Sequence, residues 1–294
     1  MIRIGIIGSD SSHAEAFSGL CNRKDVAGRV RGARVVAIYG VDPQRTAQVA
    51  EQNLIPRIVQ DPREMIGGVD AVIIVFRHGG LHCKHALPFL KAGIPTFVDK
   101  PFCTTVADAR KMVRAARKHG TPLTSFSTVR YAPATVEFLK ALEKIGPVTA
   151  GASVGPGDVK SEYGGFIFYG IHAIELMQEA FGTGARRVSA VVHGGNLLAT
   201  VQYRDDAVVS LQVLGSASHN FHMTACGKKG VMQAILPLTG CYEAGLRVLL
   251  TMVRTGREPL PHGHMVEAIA IGEAIGRSLA TGKPCAVAKC QRGG

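Results

Sequence analysis

Short, almost wholly apolar runs alternate with helical segments through the first 125 residues, and nothing else in this 294-residue chain limits its fold so strongly. Ile2-Arg3-Ile4-Gly5-Ile6-Ile7-Gly8 opens the chain. A run with so few polar positions reads as a strand covered on both faces, and its last glycine as the way out of it. The polar turn Ser9-Asp10-Ser11-Ser12 follows, then a helix from His13 with Ser12 or Asp10 as the expected N-cap. Ala33 to Tyr39, Asp70 to Phe76, Thr96 to Asp99 and Leu123 to Ser127 read as further strands. Helices are expected between them, up to Gln52, from Leu81 to Ala92 and from Ala107 to His119. Strand–helix–strand order implies parallel pairing with right-handed crossovers, hence a doubly wound α/β sheet.

Beyond residue 125 the pattern changes. Helix Ala134 to Lys144 and strand Val148 to Val154 lead through the glycine-rich loop Gly155 to Gly165 to a helix from Phe166 to Phe181. Arg187 to His193, Leu197 to Arg204, Ala207 to Gln212, His219 to Ala225 and Val231 to Ile235 read as strands, and Tyr242 to Thr255 and His264 to Thr281 as helices. Strands joined without intervening helices imply a mostly antiparallel open sheet. The expected division is an N-terminal parallel α/β domain over 1–125 and a C-terminal α+β domain over 126–294, with the joint near Ser127 to Pro133.

Composition narrows the function. The formal charge is +12, but the basic residues are scattered. The one run, Arg110, Lys111, Arg114, Arg117 and Lys118, has the spacing of a solvated helix face. Without a recognisable motif beside it, nucleic acid is not the expected partner. The longest apolar run is too short to span a membrane. Seven cysteines, with no C-x-x-C pair, read as reduced thiols of a cytoplasmic protein. His78, His82 and His85 lack a thiolate or carboxylate that would complete a metal site, so no metal is expected.

Four places can carry chemistry. The turn after the first strand is where dinucleotide folds place G-x-G-x-x-G, with pyrophosphate on the helix N-terminus. Here Gly8 remains, Asp10 and His13 take the other glycine positions, and Ser9, Ser11 and Ser12 offer hydroxyls. The Asp10 carboxylate would repel a pyrophosphate unless it is engaged elsewhere. At the end of the second strand Gly40 stands where a ribose-binding acid is usual, with Asp42 and Arg45 close by, so NADP is expected to be tolerated alongside NAD. Asp99-Lys100-Pro101 follows a buried strand at the edge where such sheets bind ligands, and Lys100-Pro101 is a candidate cis bond. Tyr169 and His172 share one face of a helix.

The order and spacing of these segments resemble the Gfo/Idh/MocA family over nearly the whole chain. The likeness rests on Ile4 to Gly8, the strand ending at Phe76 with Leu81-His82, and Asp99-Lys100-Pro101 in place of E-K-P. It continues through Arg130-Tyr131, Gly164-Gly165 to His172, Gly227-Lys228-Lys229-Gly230 and Thr281-Gly282-Lys283-Pro284. The resemblance implies an N-terminal Rossmann domain and NAD(P)-linked oxidation or reduction of a sugar, polyol or related hydroxy compound. It implies Lys100 as the catalytic lysine and His172 as the proton donor or acceptor, with Tyr169 beside it. Phe76, His82 and Asp99 would join Lys100 and the turn in holding the cofactor. It also implies a homodimer or homotetramer built on the C-terminal sheet.

The chain departs from the family at the glycines of the turn, at Gly40, and at Phe168, where the family's helix carries Asp. The Phe168 departure removes the partner that would orient His172, and whether Tyr169 substitutes is left to the fold. A catalytic pair of Lys100 and His172 requires the fold to bring them to one substrate. The competing readings are a non-catalytic ligand sensor on the same scaffold, which the altered glycine turn favours, and a lyase or hydratase using the same Lys and His.

Overall fold

The structure, a computed structural model, describes residues 1–217 and 219–289. Cys290, one of the seven cysteines, lies outside the described residues. The chain divides into two compact units.

The first unit is built on a five-stranded sheet of β1 (Ile2–Ile7), β2 (Ala33–Tyr39), β3 (Ala71–Ile74), β4 (Thr96–Val98) and β5 (Leu123–Thr124). Their order is β2-β1-β3-β4-β5, and every pairing is parallel. All of β3 and β4 is buried, as a sheet covered on both faces requires. Helices α1 (Ser12–Asn22), α2 (Pro43–Gln52), α3 (His82–Lys91) and α4 (Val106–His119) alternate with the strands. The chain runs from β1 to β2 on one side, then returns to β3 on the other. That reversal opens a crevice beyond the carboxyl ends of β1 and β3, where α/β sheets bind ligands. A single parallel bridge, Ile38 to Ile58, lengthens the sheet beyond β2.

The second unit carries β6 (Val148–Pro156), β7 (Ala185–His193), β8 (Asn196–Tyr203), β9 (Val208–Leu214), β10 (His222–Gly227), β11 (Gly230–Ile235) and β12 (Cys285–Ala286). The sheet order is β11-β10-β6-β9-β8-β7-β12. Only β6 and β9 run parallel. Helix α5 (Pro133–Ala141) ends earlier than its sequence pattern suggests and passes into a 3-10 turn over Leu142–Ile145. Helix α6 (Ile167–Phe181) lies against β6 and β9. Helix α8 (His262–Thr281) reaches β7 through the Ser278 hydroxyl, which accepts from Ala190 N–H at 3.0 Å. The other face is open: Ile235, His222, Val154, Gln212, Leu198 and Val191 form one row across six strands.

Two expectations need correction. The strand expected from His219 starts at His222. Helix α7 (Cys241–Thr255), expected within the 126–294 domain, clusters from Tyr242 onward with the first unit, as does the segment up to His262. Its Tyr242 ring meets Phe17 edge-on at 5.8 Å, and Leu246, Leu249 and Leu250 are buried. An amphipathic pattern fixes which helix face is buried, not which partner covers it.

Candidate active site

In the first unit the turn after β1 is held from several directions. Gly8 has a φ of +112°, and a Cβ there would stand 2.7 Å from Phe76 N at the end of β3. Only glycine fits so close an approach. Ser11, not Ser12 or Asp10, is the N-cap of α1, its hydroxyl accepting from His13 N–H at 3.2 Å. Asp10 turns instead to the loop after β3, where its carboxylate accepts the Arg77 N–H at 3.1 Å. Part of the charge feared at the phosphate position is thereby engaged. Buried Ser9 bonds Thr46 Oγ1 at 2.9 Å, and Thr46 Oγ1 donates to Asp42 O at 2.5 Å.

That hydroxyl pair accounts for Gly40. A Cβ at position 40 would lie 2.0 Å from Ser9 Oγ and 2.2 Å from Thr46 Oγ1. Asp42 caps α2, accepting from Gln44 N–H and Arg45 N–H. Arg45 folds back over the turn: Nε donates to Ser9 O at 3.1 Å, and Nη2 lies 2.9 Å from Glu15 Oε1.

Around the end of β4 the groups are buried and charged. Asp99 is 2% exposed, and its Oδ2 lies 2.6 Å from His13 Nδ1. Burial pushes the Asp99 carboxyl up, but the His13 charge and hydrogen bond, with Lys100 beside it, hold it below the usual carboxylate value. Its Oδ1 has no hydrogen-bond partner among the described residues. Lys100 is buried, and the Lys100-Pro101 bond is cis. Fully buried His82 sets Nε2 2.8 Å from Phe76 O and Nδ1 2.8 Å from Pro101 O. The ring thus joins the loop after β3 to the Lys100-Pro101 loop. Its pKa is lowered, chiefly by burial, and a neutral imidazole donates to only one of the two carbonyls.

These residues fit a dinucleotide. The crevice at the β1/β3 reversal, the amino end of α1 pointing into the turn, and an orphaned buried acceptor on Asp99 are the features such a ligand uses. Among the described residues no group of His, Cys, Asp and Glu is placed to hold a metal ion.

In the second unit His172 sits on α6 and is 6% exposed. Its Nδ1 lies 2.6 Å from Ser127 Oγ. Its ring meets Tyr169 at 4.9 Å and Phe221 at 5.5 Å, both edge-on. Ser127 belongs to no chemical motif in the sequence and stands 45 residues before its partner. Further along the same helix, Glu175 Oε2 accepts from Ser127 N–H at 2.7 Å and from Arg130 Nε at 2.6 Å. Arg130 also pairs with Glu179 and donates to Gln178 Oε1 at 3.1 Å. A cavity of about 530 Å3 opens beside the amino end of α6, lined by Phe168, Tyr169, Tyr163, Asp158, Glu162 and His219 among others.

Residues 2–126 match the Gfo/Idh/MocA family, an oxidoreductase family with an NAD-binding Rossmann fold. An inositol 2-dehydrogenase of Acidothermus cellulolyticus is 27% identical over 245 residues, 76% of this chain and 69% of that protein. A 1,5-anhydro-D-fructose reductase of Ensifer adhaerens is 32% identical over 135 residues, 46% of this chain and 38% of that protein. The solved myo-inositol dehydrogenase of Lactobacillus casei, in complex with NAD(H) and myo-inositol, aligns with a TM-score of 0.86 at 16% identity. That alignment covers 100% of this chain and 98% of the other. At such identity the likeness is one of fold.

Proposed function

We propose that this chain, whose residues 2–126 match the Gfo/Idh/MocA oxidoreductase family, is an NAD(P)-dependent dehydrogenase acting on the CH–OH group of a polyol, sugar or related hydroxy compound. The observation that carries this reading is the crevice at the β1/β3 reversal, with the turn Gly8 to Ser12 on one side and Asp99-Lys100 at the end of β4. The turn and α1 would hold the pyrophosphate, and Phe76, His82 and Asp99 would stand on the nicotinamide side of the site. Nicotinamide, when bound, supplies the carbon that accepts or gives up the hydride.

The protein's own groups handle charge and protons. Lys100 stabilises the alkoxide that forms as the hydroxyl loses its proton. His172 exchanges that proton. Tyr169, on the same helix face, helps hold the substrate hydroxyl. The cavity beside α6 has the size of a small-ligand site. Its aromatic rings suit the C–H faces of a polyol and its carboxylates suit the hydroxyls. The relatives' names, dehydrogenase and reductase, support catalysis over the sensor reading. The open sheet row with exposed Ile235, Leu198 and Val191 supports a homo-oligomer.

Titration with NAD, NADH, NADP and NADPH, followed by turnover assays on inositols and anhydro sugars read by nicotinamide absorbance, tests the reading. Binding of at least one dinucleotide and turnover of a hydroxy compound are expected. Binding of none overturns the proposal, and tight binding without turnover of any such compound favours the sensor.

A further inference from the structure

We propose that Ser127 is the positioning residue of His172, holding Nδ1 so that Nε2 is the nitrogen that exchanges the proton; this rests on the proton-transfer role proposed for His172. The serine is fully buried and is gripped twice by α6. Its hydroxyl lies 2.6 Å from His172 Nδ1, and its N–H donates to Glu175 Oε2 at 2.7 Å. His172 and Glu175 are three residues apart, hence on one helix face. Ser127 Oγ also accepts from Val129 N–H at 3.2 Å, which fixes the hydroxyl against its own chain.

The charged groups next to the pair form their own network. Glu175 is taken by Ser127 N–H and Arg130, and Arg130 reaches on to Glu179 and Gln178. Tyr169 and Phe221 meet the ring edge-on and restrain its plane. Phe168, one turn before His172, brings no polar atom to the ring. The hydroxyl accepts from Nδ1–H in both states of the imidazole, so that the proton is gained and lost at Nε2. That bond is stronger when the ring is positive, and the serine adds no charge of its own to the site.

The test compares wild type with Ser127→Ala, Ser127→Thr and His172→Ala by NMR titration of the His172 ring and by the pH dependence of kcat. In Ser127→Ala the imidazolium loses the acceptor of its Nδ1–H, so the His172 midpoint should fall to lower pH and return in Ser127→Thr. The acid limb of kcat should move with it. The value of kcat should drop at least about tenfold, toward the range lost when general acid–base catalysis is impaired. KM for the dinucleotide should not change. An unchanged midpoint in Ser127→Ala overturns the proposal, and this readout needs no substrate. So does a threonine variant that folds but fails to restore the midpoint, since packing rather than the hydroxyl would then be the cause. Full turnover in His172→Ala would reject the role of His172 itself. An inactive His172→Ala beside a Ser127→Ala with wild-type kcat and pH profile would reject Ser127 alone.

Discussion

His13 Nδ1 and Asp99 Oδ2 stand 2.6 Å apart, tying the first turn of α1 to the end of β4 from 86 residues away. The pair does two jobs in the first unit. It fixes the amino end of the helix that follows the turn Gly8 to Ser12, and it anchors the residue before Lys100. The ring of His13 is itself wedged against Tyr242 of α7 at 5.1 Å. Asp99 is held ionised against its own burial, so its stabilising effect has a definite pH sense. A carboxyl with a depressed folded-state pKa contributes stability above its unfolded value of 3.8, and that contribution is lost as pH falls through the folded value.

His13→Ala should leave a buried carboxylate without its hydrogen-bond partner and destabilise the protein by about 3 kcal/mol at neutral pH. Urea unfolding of wild type and variant measures it. A loss below about 1 kcal/mol, the range of an exposed ion pair, would mean that solvent reaches Asp99 freely.

His85 adds an acid sensitivity of the same sign, from burial of an imidazole and at higher pH. Its imidazole stacks on Phe76 at 4.8 Å, and its pKa is lowered from 6.5 to about 4 by burial first, then by Lys84 and His82. The unfolded chain binds the proton more readily. Stability from a neutral His85 is therefore complete above pH 6.5 and is lost as pH falls toward about 4. His85→Phe should flatten the decline in unfolding free energy across this window. An equally steep decline in the variant would assign the sensitivity to other groups.

The sequence revealed the first sheet well because burial on both faces leaves almost no polar positions in β1 and β3. Motif order also singled out Lys100 and His172 as candidates, but not what holds them. Asp10 looked like a repulsive group because its bond to Arg77 N–H depends on where the loop after β3 lies. Gly40 looked like a missing acid, whereas the Ser9–Thr46 hydroxyl pair leaves no room for any side chain. Ser127 carried no motif, and Arg130 stood out only through the Arg130-Tyr131 likeness; what they touch comes from long-range contacts with α6. Helix α7 was assigned to the wrong unit because its apolar stripe carries no address.

Gly40→Asp should not create a better NAD site. The new side chain would collide with Ser9 and Thr46, at an overpacking cost of about 1–3 kcal/mol. A lower melting temperature with no gain in NAD affinity is expected. A variant that binds NAD more tightly at unchanged melting temperature would show that the turn can move aside.

Arg45 should decide how well NADP is accepted. Its guanidinium is held by Glu15 and Ser9 O, within reach of the turn but committed. Glu15→Gln should free it and tighten NADP binding, while Arg45→Ala should weaken NADP by about tenfold, or about 1.4 kcal/mol. NAD affinity should barely change in either variant. Calorimetric titration of both cofactors against the three proteins separates these outcomes, and equal losses for NAD and NADP in Arg45→Ala would show that Arg45 only braces the turn.

The chemical step should depend on Lys100 and His172 in different ways. Hydride leaves a carbinol carbon only as its oxygen gives up a proton, so the rate depends on both the charge near that oxygen and the group that takes the proton. In the proposed step Lys100 supplies positive charge at that oxygen. Lys100→Ala should lower the single-turnover rate by about a hundredfold or more, and Lys100→Met, of similar length, should not restore it. In the proposed step His172 takes or gives the proton. His172→Ala should cost a similar factor and also remove the acid limb from the rate–pH profile, which Lys100→Ala should keep. Folding is the necessary control, since both residues are buried. Circular dichroism and dinucleotide affinity should therefore be matched before rates are compared. If Lys100→Ala, well folded and saturated with cofactor, transfers hydride at the wild-type rate, the lysine is structural. If His172→Ala keeps the acid limb, another group carries the proton, and the assignment moves away from α6.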